Sequence, residues 1–249
     1  MLVIDSRNPQ AVRVGSRLSE LLPESVLNAA PHIVVGGDGF LLRTAAAGEY
    51  TGSYLGLNTG NLGFLLNDVG DIEATARAIA EGQYEVYAFP LLSAHLVLED
   101  GEERTEWAMN EAYLERATGQ AARLSLSVDG HVVVDNLVAD GLIVSTALGS
   151  TAYSFSAGGS PAHPRLRLLK ITPICPHLPR LTPFDLPADA LVEVEVLFSQ
   201  RRPVRAVLDG RSTEAIKRVR IERSERTVEL AYLSSHHFTG HLLNKIVIP

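Results

Sequence analysis

The stretch Ile33-Val34-Val35-Gly36-Gly37-Asp38-Gly39-Phe40, running on to Ala47, decides the fold. Ile33 to Val35 is apolar on both faces, as in a strand buried within a parallel sheet. A turn of glycines follows at once, and then an apolar, helix-like stretch from Phe40 to Ala47. Strand, glycine turn and helix together form the grammar of a phosphate site in an α/β domain. The glycines permit close backbone approach, and the first N–H groups of the helix point at whatever occupies the crevice. Asp38 is the anomaly, because a carboxylate in such a turn repels an anion unless it has a separate role. It can bind the Mg²⁺ that accompanies a nucleotide triphosphate, accept a proton from a hydroxyl attacking a phosphoryl group, or simply cap the helix.

Working outward, a second unit of the same kind follows. Ser53 to Leu57 reads as a strand, and Asn58 to Gly63 as a glycine loop at its end. Asp71 is placed to cap a helix running to about Ala80, with Ile72, Ala76 and Ile79 on one face and Gly82 as its stop. Phe64 reads as core, with a base-stacking platform as the alternative. Upstream, Leu2 to Ile4 suggests a short strand, and Val12 to Leu22 a helix ended by Pro23.

From about Leu91 the texture changes to strands separated by hairpin turns: Glu99-Asp100-Gly101-Glu102, Asp129-Gly130 and Asp209-Gly210. Leu191 to Phe198, Val204 to Leu208, Val219 to Ile221 and Thr227 to Tyr232 extend the pattern. The fold class is therefore α/β plus all-β: an N-terminal Rossmann-like α/β domain over residues 1–91, and a C-terminal antiparallel β-sandwich-like domain over 92–234. Residues 235–249 are a candidate return to the first domain. The Pro-rich span from Pro161 to Pro187 reads as an ordered connection or lid, since it holds few hydrogen-bond donors to pair as sheet. Out of the second domain comes Asp140 to Pro161, DGLIVSTALGSTAYSFSAGGSP. Its small residues leave backbone N–H groups and hydroxyls at close range for a phosphate or nucleotide, and Tyr153 and Phe155 argue against a solvated linker. Asn110-Glu111, an amide beside a carboxylate, can bind a ribose diol or an adenine edge.

Composition excludes other classes. A formal net charge of −7 speaks against a nucleic-acid partner held by clustered Lys and Arg. Cys175 stands alone, which rules out an internal disulfide and fits a reducing compartment. No apolar run approaches a membrane span and no signal-peptide core follows Met1, so the expectation is a cytoplasmic protein without membrane attachment. No GxSxG elbow and no GxxxxGK[ST] loop is present.

Taken in order, Gly36-Gly37-Asp38-Gly39, Asn58 to Leu65 (NTGNLGFL), Asn110-Glu111, Asp140 to Thr146 (DGLIVST), Gly149 to Gly159 (GSTAYSFSAGG) and Ile171 to His177 (ITPICPH) resemble the NAD kinases in content, order and approximate spacing. The resemblance implies transfer of a phosphoryl group from ATP, or from inorganic polyphosphate, to the 2′-hydroxyl of the adenosine ribose of NAD. It gives Asp38 the role of proton acceptor. An aspartate with an ordinary pKa near 4 is a weak base for an alcohol, so orientation should matter more than basicity.

By the same resemblance, Asn110 and Glu111 contact ribose and adenine, and Asp140 the nicotinamide side. Thr151, Ala152, Tyr153 and Ser156 form the adenosine pocket, with Gly39 and Phe64 also on the NAD side. Gly36, Gly37, Gly60 and Asn61 line the donor phosphates. Mg²⁺ or another divalent cation arrives with ATP, with no protein ligand assigned. A homodimer or homotetramer is implied, with NAD between the domains. Phe40, Ala147 and Leu148 depart from the family pattern by replacing hydroxyl-bearing or proline residues. The alternatives are a non-catalytic NAD(P)-binding sensor and a related lipid or sugar kinase.

Overall fold

The chain opens with strand β1 (Leu2–Ile4), helices α1 (Pro9–Leu21) and α2 (Glu24–Leu27), strand β2 (His32–Gly36), helix α3 (Asp38–Ala47), strands β3 (Ser53–Asn58) and β4 (Asn67–Asp68), helix α4 (Ile72–Ala80) and the long strand β5 (Tyr84–Leu98). The computed structural model describes residues 1–60 and 63–246, and groups Met1–Phe89 with Thr227–Pro249 as one unit and Pro90–Arg226 as another.

In the first unit β2 lies between β1 and β3, parallel to both. Period-2 alternation sends Ile33, Val35, Leu55 and Leu57 into a core shared with Ala11, Val14 and Leu18 of α1 and Ala76 and Ile79 of α4. The opposite face receives α3. A Cβ on Gly56 there would stand 2.1 Å from Leu66 Cδ2 and 3.4 Å from Leu41 Cδ2, so the glycine lets these leucines reach the sheet. Helix α1 starts at Pro9, earlier than apolar spacing alone suggests. The Asn8 side chain accepts the N–H groups of Gln10 and Ala11, and Pro occupies the first turn, where a missing N–H costs nothing. Asp71 caps α4 through Ala74 N–H at 3.1 Å, as expected.

The remaining elements are β6 (Glu103–Ala108), β7 (Glu111–Arg116), β8 (Ala122–Val128), β9 (His131–Ala139), β10 (Gly141–Thr146), a 3₁₀ turn (Leu148–Thr151), helix α5 (Tyr153–Ser156), β11 (Leu168–Ile174), β12 (Phe184–Pro187), β13 (Val192–Val196), β14 (Val204–Leu208), β15 (Arg211–Thr213), β16 (Ile216–Leu233) and α6 (Phe238–Ile246). In the second unit, β12-β11-β10-β7-β14-β15 form one antiparallel sheet, and β16-β13-β8-β9 with β5 and β6 belong to the other. Leu114, Leu142, Val144, Ile171 and Leu208 from the first sheet share one core with Leu92, Leu96, Leu124, Leu126, Val192 and Val194 from the second. This is the antiparallel sandwich expected. The hairpin residues Asp129-Gly130 and Asp209-Gly210 all adopt positive φ, the conformation a tight two-residue turn requires.

Two expectations need correction. The Pro161–Pro187 span is not solely connection, because Leu168–Ile174 pairs with β10 along its length and Phe184–Pro187 pairs with β11. Pro173 is tolerated for a geometric reason. Ile174 C=O accepts Asp140 N–H on the β10 side, so alternation turns Pro173 to the other side, past Phe184, where pairing with β12 has begun only at Ile171. The second correction concerns Thr227 to Tyr232, grouped from sequence with the β domain. The end of β16 instead pairs in parallel with β3, at Glu229–Ser53 and Leu230–Tyr54.

A single buried amide fixes that pairing. Asn67 Nδ2 donates to Gly56 O at 3.0 Å and Ala231 O at 3.1 Å, while its Oδ1 accepts Leu233 N–H at 2.8 Å. β16 joins only the first part of β3 and β4 only its last residues, so Asn67 satisfies backbone groups where the edge changes partner. Asn67→Leu is expected to lower unfolding free energy by about 2–3 kcal/mol, since it strands buried backbone groups, as read from the midpoint of urea denaturation at constant m-value.

Candidate active site

Asp38 occupies the first residue of α3. Both carboxylate oxygens reach the second loop: Oδ2 accepts Phe64 N–H at 2.8 Å and Oδ1 accepts Leu65 N–H at 3.1 Å. The carboxylate therefore does more than start its own helix. The two adjacent amides fix the plane of the carboxylate, as a fork of donors does. Nothing lies within 4 Å of where a Cβ on Gly37 would sit, and an added Cβ on Gly39 would meet only the far end of Arg43, so the backbone here is open to approach. Gly36 is different, because the ring of Phe40 packs over it with Cδ1 2.8 Å from a hypothetical Cβ. Phe40 thus covers the glycine turn from within its own helix. Gly60 N–H is held by Asn58 Oδ1 at 2.9 Å. Asn61 lies outside the described residues.

Behind Asp38, the Tyr232 ring is fully buried against Tyr87, Phe89 and Phe238. Burial, and then the charge of Asp38, push its hydroxyl far above the ordinary tyrosine range, so it stays protonated.

In the second unit the small-residue loop is fastened to Asn110. Thr146 N–H donates to Asn110 O at 2.9 Å, Thr146 Oγ1 donates to Met109 O at 2.9 Å, and Gly149 N–H donates to that same hydroxyl at 3.1 Å. A Cβ on Gly149 would fall 2.2 Å from Asn110 O, a backbone atom that cannot yield, so only glycine closes this approach. Several hydroxyls expected to face a ligand are spent inside the loop. Ser150 Oγ bonds Ala147 O and Ala162 N, and Ser154 Oγ bonds Thr172 Oγ1. Thr151, Ala152 and Tyr153 remain partly open and Ser156 is exposed. Ala147 and Leu148 are buried, which explains why apolar side chains serve there. Tyr153 stacks edge-on against Tyr113 with centroids 4.9 Å apart, and burial raises both phenols. Asp140 is engaged by Arg116 Nε at 2.7 Å.

Asn110 and Glu111 are both buried, and their backbone N–H groups, with that of Met109, converge on Asp209 at 2.9, 3.3 and 2.6 Å. Burial raises the Asp209 carboxyl, but three N–H donors oppose that and favour its anion. Glu111 has no such support. Burial first, and then the Asp209 charge, push it up to about 8, so of this pair Glu111 holds the proton at neutral pH. Among the described residues, Glu111 Oε2, Asn110 Oδ1 and Ser145 Oγ are buried without a hydrogen-bond partner, and Ser145 sits directly across from Glu111 in the β7–β10 ladder. Unpaired buried polar atoms are costly and rare, and three together mark a polar cradle. The sequence placed Asp209 in a hairpin turn only. Its role as an acceptor for three amides a hundred residues away had no local signal, and the same holds for Tyr113 and Ser145. Among the described residues, no group of three or more His, Cys, Asp and Glu converges as a metal site, and no helix is long and apolar enough to cross a membrane.

Residues 109–233 match the ATP-NAD kinase C-terminal domain family. The chain is 36% identical to the NAD kinase of Rhizobium meliloti (strain 1021) over 214 residues, covering 85% of this chain and 82% of that protein. It is 33% identical to the NAD kinase of Zymomonas mobilis over 232 residues, covering 91% and 89%. Among solved structures, an NAD kinase from Archaeoglobus fulgidus in complex with ATP superposes with a TM-score of 0.79 at 26% identity, covering 100% of this chain and 99% of that one. Yeast NADH kinase complexed with NADH shares the fold, with a TM-score of 0.77 at 23% identity over 90% of this chain and 68% of that one.

The Glu111 environment predicts a pH-dependent stability. A carboxyl whose folded value lies near 8, against about 4.5 when unfolded, binds more protons in the native state throughout that interval. Stability is therefore present at low pH and lost as pH rises from about 5 toward 8. Glu111→Gln should remove that slope: its melting temperature should match wild type near pH 5 and exceed it by on the order of 3 °C or more near pH 8, measured by calorimetry without ligand.

Proposed function

The chain belongs to the NAD kinase family and is an enzyme of that kind, a transferase, and from that premise we propose that Asp38 is the proton acceptor in transfer of the γ-phosphoryl group of ATP to the 2′-hydroxyl of the adenosine ribose of NAD. The observation that carries this reading is the two-amide fork from Phe64 and Leu65 on the Asp38 carboxylate. An aspartate meant only to start a helix would turn back to its own first-turn N–H groups. This one is aimed by a different loop, through the N–H groups of Phe64 and Leu65.

Phosphoryl transfer depends chiefly on positioning and on stabilising charge. The carboxylate accepts a hydrogen bond from the 2′-hydroxyl, orients its oxygen toward the γ-phosphorus and takes the proton as the new P–O bond forms and the bond to the ADP leaving oxygen breaks. Gly36, Gly37 and Gly60 approach the donor phosphates through backbone groups, and Asn61 is assigned to the same donor. ATP is the donor in this reading and inorganic polyphosphate the alternative. The divalent cation travels with the triphosphate, where it would neutralise charge, and no protein ligand is assigned to it.

On the acceptor side, Asn110 and Glu111 bind the adenosine half of NAD, with Thr151, Ala152, Tyr153 and Ser156 completing that pocket, and Gly39 and Phe64 are assigned to NAD as well. Support comes from the partnerless Asn110 Oδ1, Glu111 Oε2 and Ser145 Oγ, which need polar partners that the described residues do not supply. Asp140, held by Arg116, is assigned to the nicotinamide side. A homodimer or homotetramer working in the cytoplasm completes the reading.

Asp38→Asn is isosteric but cannot take up the proton. It should lower kcat by about 10²- to 10⁴-fold, the usual range for loss of a general base, with the NAD dissociation constant unchanged within about threefold. The check is NADP formation from NAD, ATP and Mg²⁺, coupled to an NADP-specific dehydrogenase and repeated with polyphosphate. Full activity in Asp38→Asn contradicts the assignment, and wild-type protein that binds NAD but forms no NADP with either donor favours a sensor.

A further inference from the structure

The loop that aims at Asp38 is itself held from the far end of the chain. His241 of α6 places Nε2 2.8 Å from Gly63 O and Nδ1 3.3 Å from Asp68 Oδ2, with only 11% of its side chain exposed. A carbonyl can only accept, so Nε2 carries a hydrogen and donates it to Gly63. Gly63 immediately precedes Phe64 and Leu65, the two residues whose N–H groups fix the Asp38 carboxylate. Asp68 uses its other oxygen, Oδ1, to accept Asn58 Nδ2 at 3.3 Å, and Asn58 Oδ1 in turn holds Gly60 N–H. The ring of His236 packs against His241 with centroids 4.7 Å apart, and Phe238 packs on His236 at 4.9 Å.

We propose that His241 is a positioning residue for phosphoryl transfer: by gripping the Gly63 carbonyl, it sets the path of the Gly63–Leu65 backbone and so the direction of the amide fork on Asp38. The inference rests on the assignment of Asp38 as proton acceptor. Nothing in the linear order of the sequence joins these groups, because residue 241 follows the glycine loop by 178 positions. The coupling is mechanical. The peptide joining Gly63 to Phe64 presents its carbonyl to His241 and its N–H to Asp38, so one rigid plane is held from both sides. Freeing the carbonyl lets that plane rotate, and the N–H turns away from the carboxylate.

The test uses two variants of the full chain and a readout independent of turnover. His241→Leu removes both ring nitrogens, whereas His241→Gln keeps an N–H donor for Gly63 O. Amide hydrogen exchange followed by NMR should show protection at Phe64 and Leu65 falling about tenfold or more in His241→Leu, with protection in α1 and α4 preserved. The same variant should lose about tenfold in kcat, as expected for a misaimed group, with the NAD dissociation constant within about twofold of wild type. His241→Gln should restore both protection and kcat to within about threefold. Wild-type exchange and kcat in His241→Leu, or His241→Gln as impaired as His241→Leu, overturns the proposal. An inactive Asp38→Asn beside a fully active His241→Leu removes the latch alone. An active Asp38→Asn removes the proton-acceptor reading, whatever His241 does.

Discussion

Two amide hydrogens pointing at one carboxylate are the constraint on which the first unit's glycine turn depends. Asp38 sits where a parallel strand ends in a turn of glycines, and left to itself its side chain would hydrogen-bond its own helix. The Phe64 and Leu65 N–H groups hold it from a separate loop, at 2.8 and 3.1 Å. Charge-assisted bonds of this kind are about twice as strong as neutral ones, and two of them fix a plane as well as a distance. The surrounding structure serves to keep that second loop in place. Asn67 ties β3 to β16 just downstream of it, Asn58 holds its first turn through Gly60, and His241 grips its last glycine.

The second unit solves a different problem, which is how to present polar atoms from inside an apolar sandwich. Asp209 lies almost fully buried, and three backbone N–H groups offset the cost of holding it there. That arrangement locks the backbone of Met109, Asn110 and Glu111, and so fixes where the Asn110 and Glu111 side chains begin. Gly149 then closes onto Asn110 with no room for a Cβ, drawing the small-residue loop down over the same pair. The result is a rigid backbone carrying side-chain atoms that lack partners, a pattern suited to a ligand rather than to stability.

Much of this was legible in the sequence because it is local. Strand, glycine turn and helix at residues 32–47 needed only periodicity and glycine placement, and Asp129-Gly130 and Asp209-Gly210 announced their hairpins directly. What escaped was non-local. The end of β16 returns to pair with β3, yet its alternation of apolar and polar residues does not distinguish a parallel partner from an antiparallel one. Pro173 argued against a strand, but only the neighbouring register shows that its missing N–H faces no partner. The aim of Asp38 depends on two amides in a separate loop, and the burial of Asp209 on a hairpin turn that reads as solvent-exposed. In each case the side chain's residue type gave the chemistry, while its direction came from contacts distant in sequence.

In the proposed reaction the fork holds the Asp38 carboxylate ready for the 2′-hydroxyl of the adenosine ribose. The most direct measurement is a crystal structure of the protein with NAD bound. An Asp38 carboxylate oxygen should then lie within about 2.6–3.2 Å of the ribose 2′-oxygen, the reach of a general base, with the Phe64 and Leu65 bonds still in place. NAD fully ordered with its 2′-hydroxyl directed to another group, and Asp38 left facing only those two amides, would contradict it.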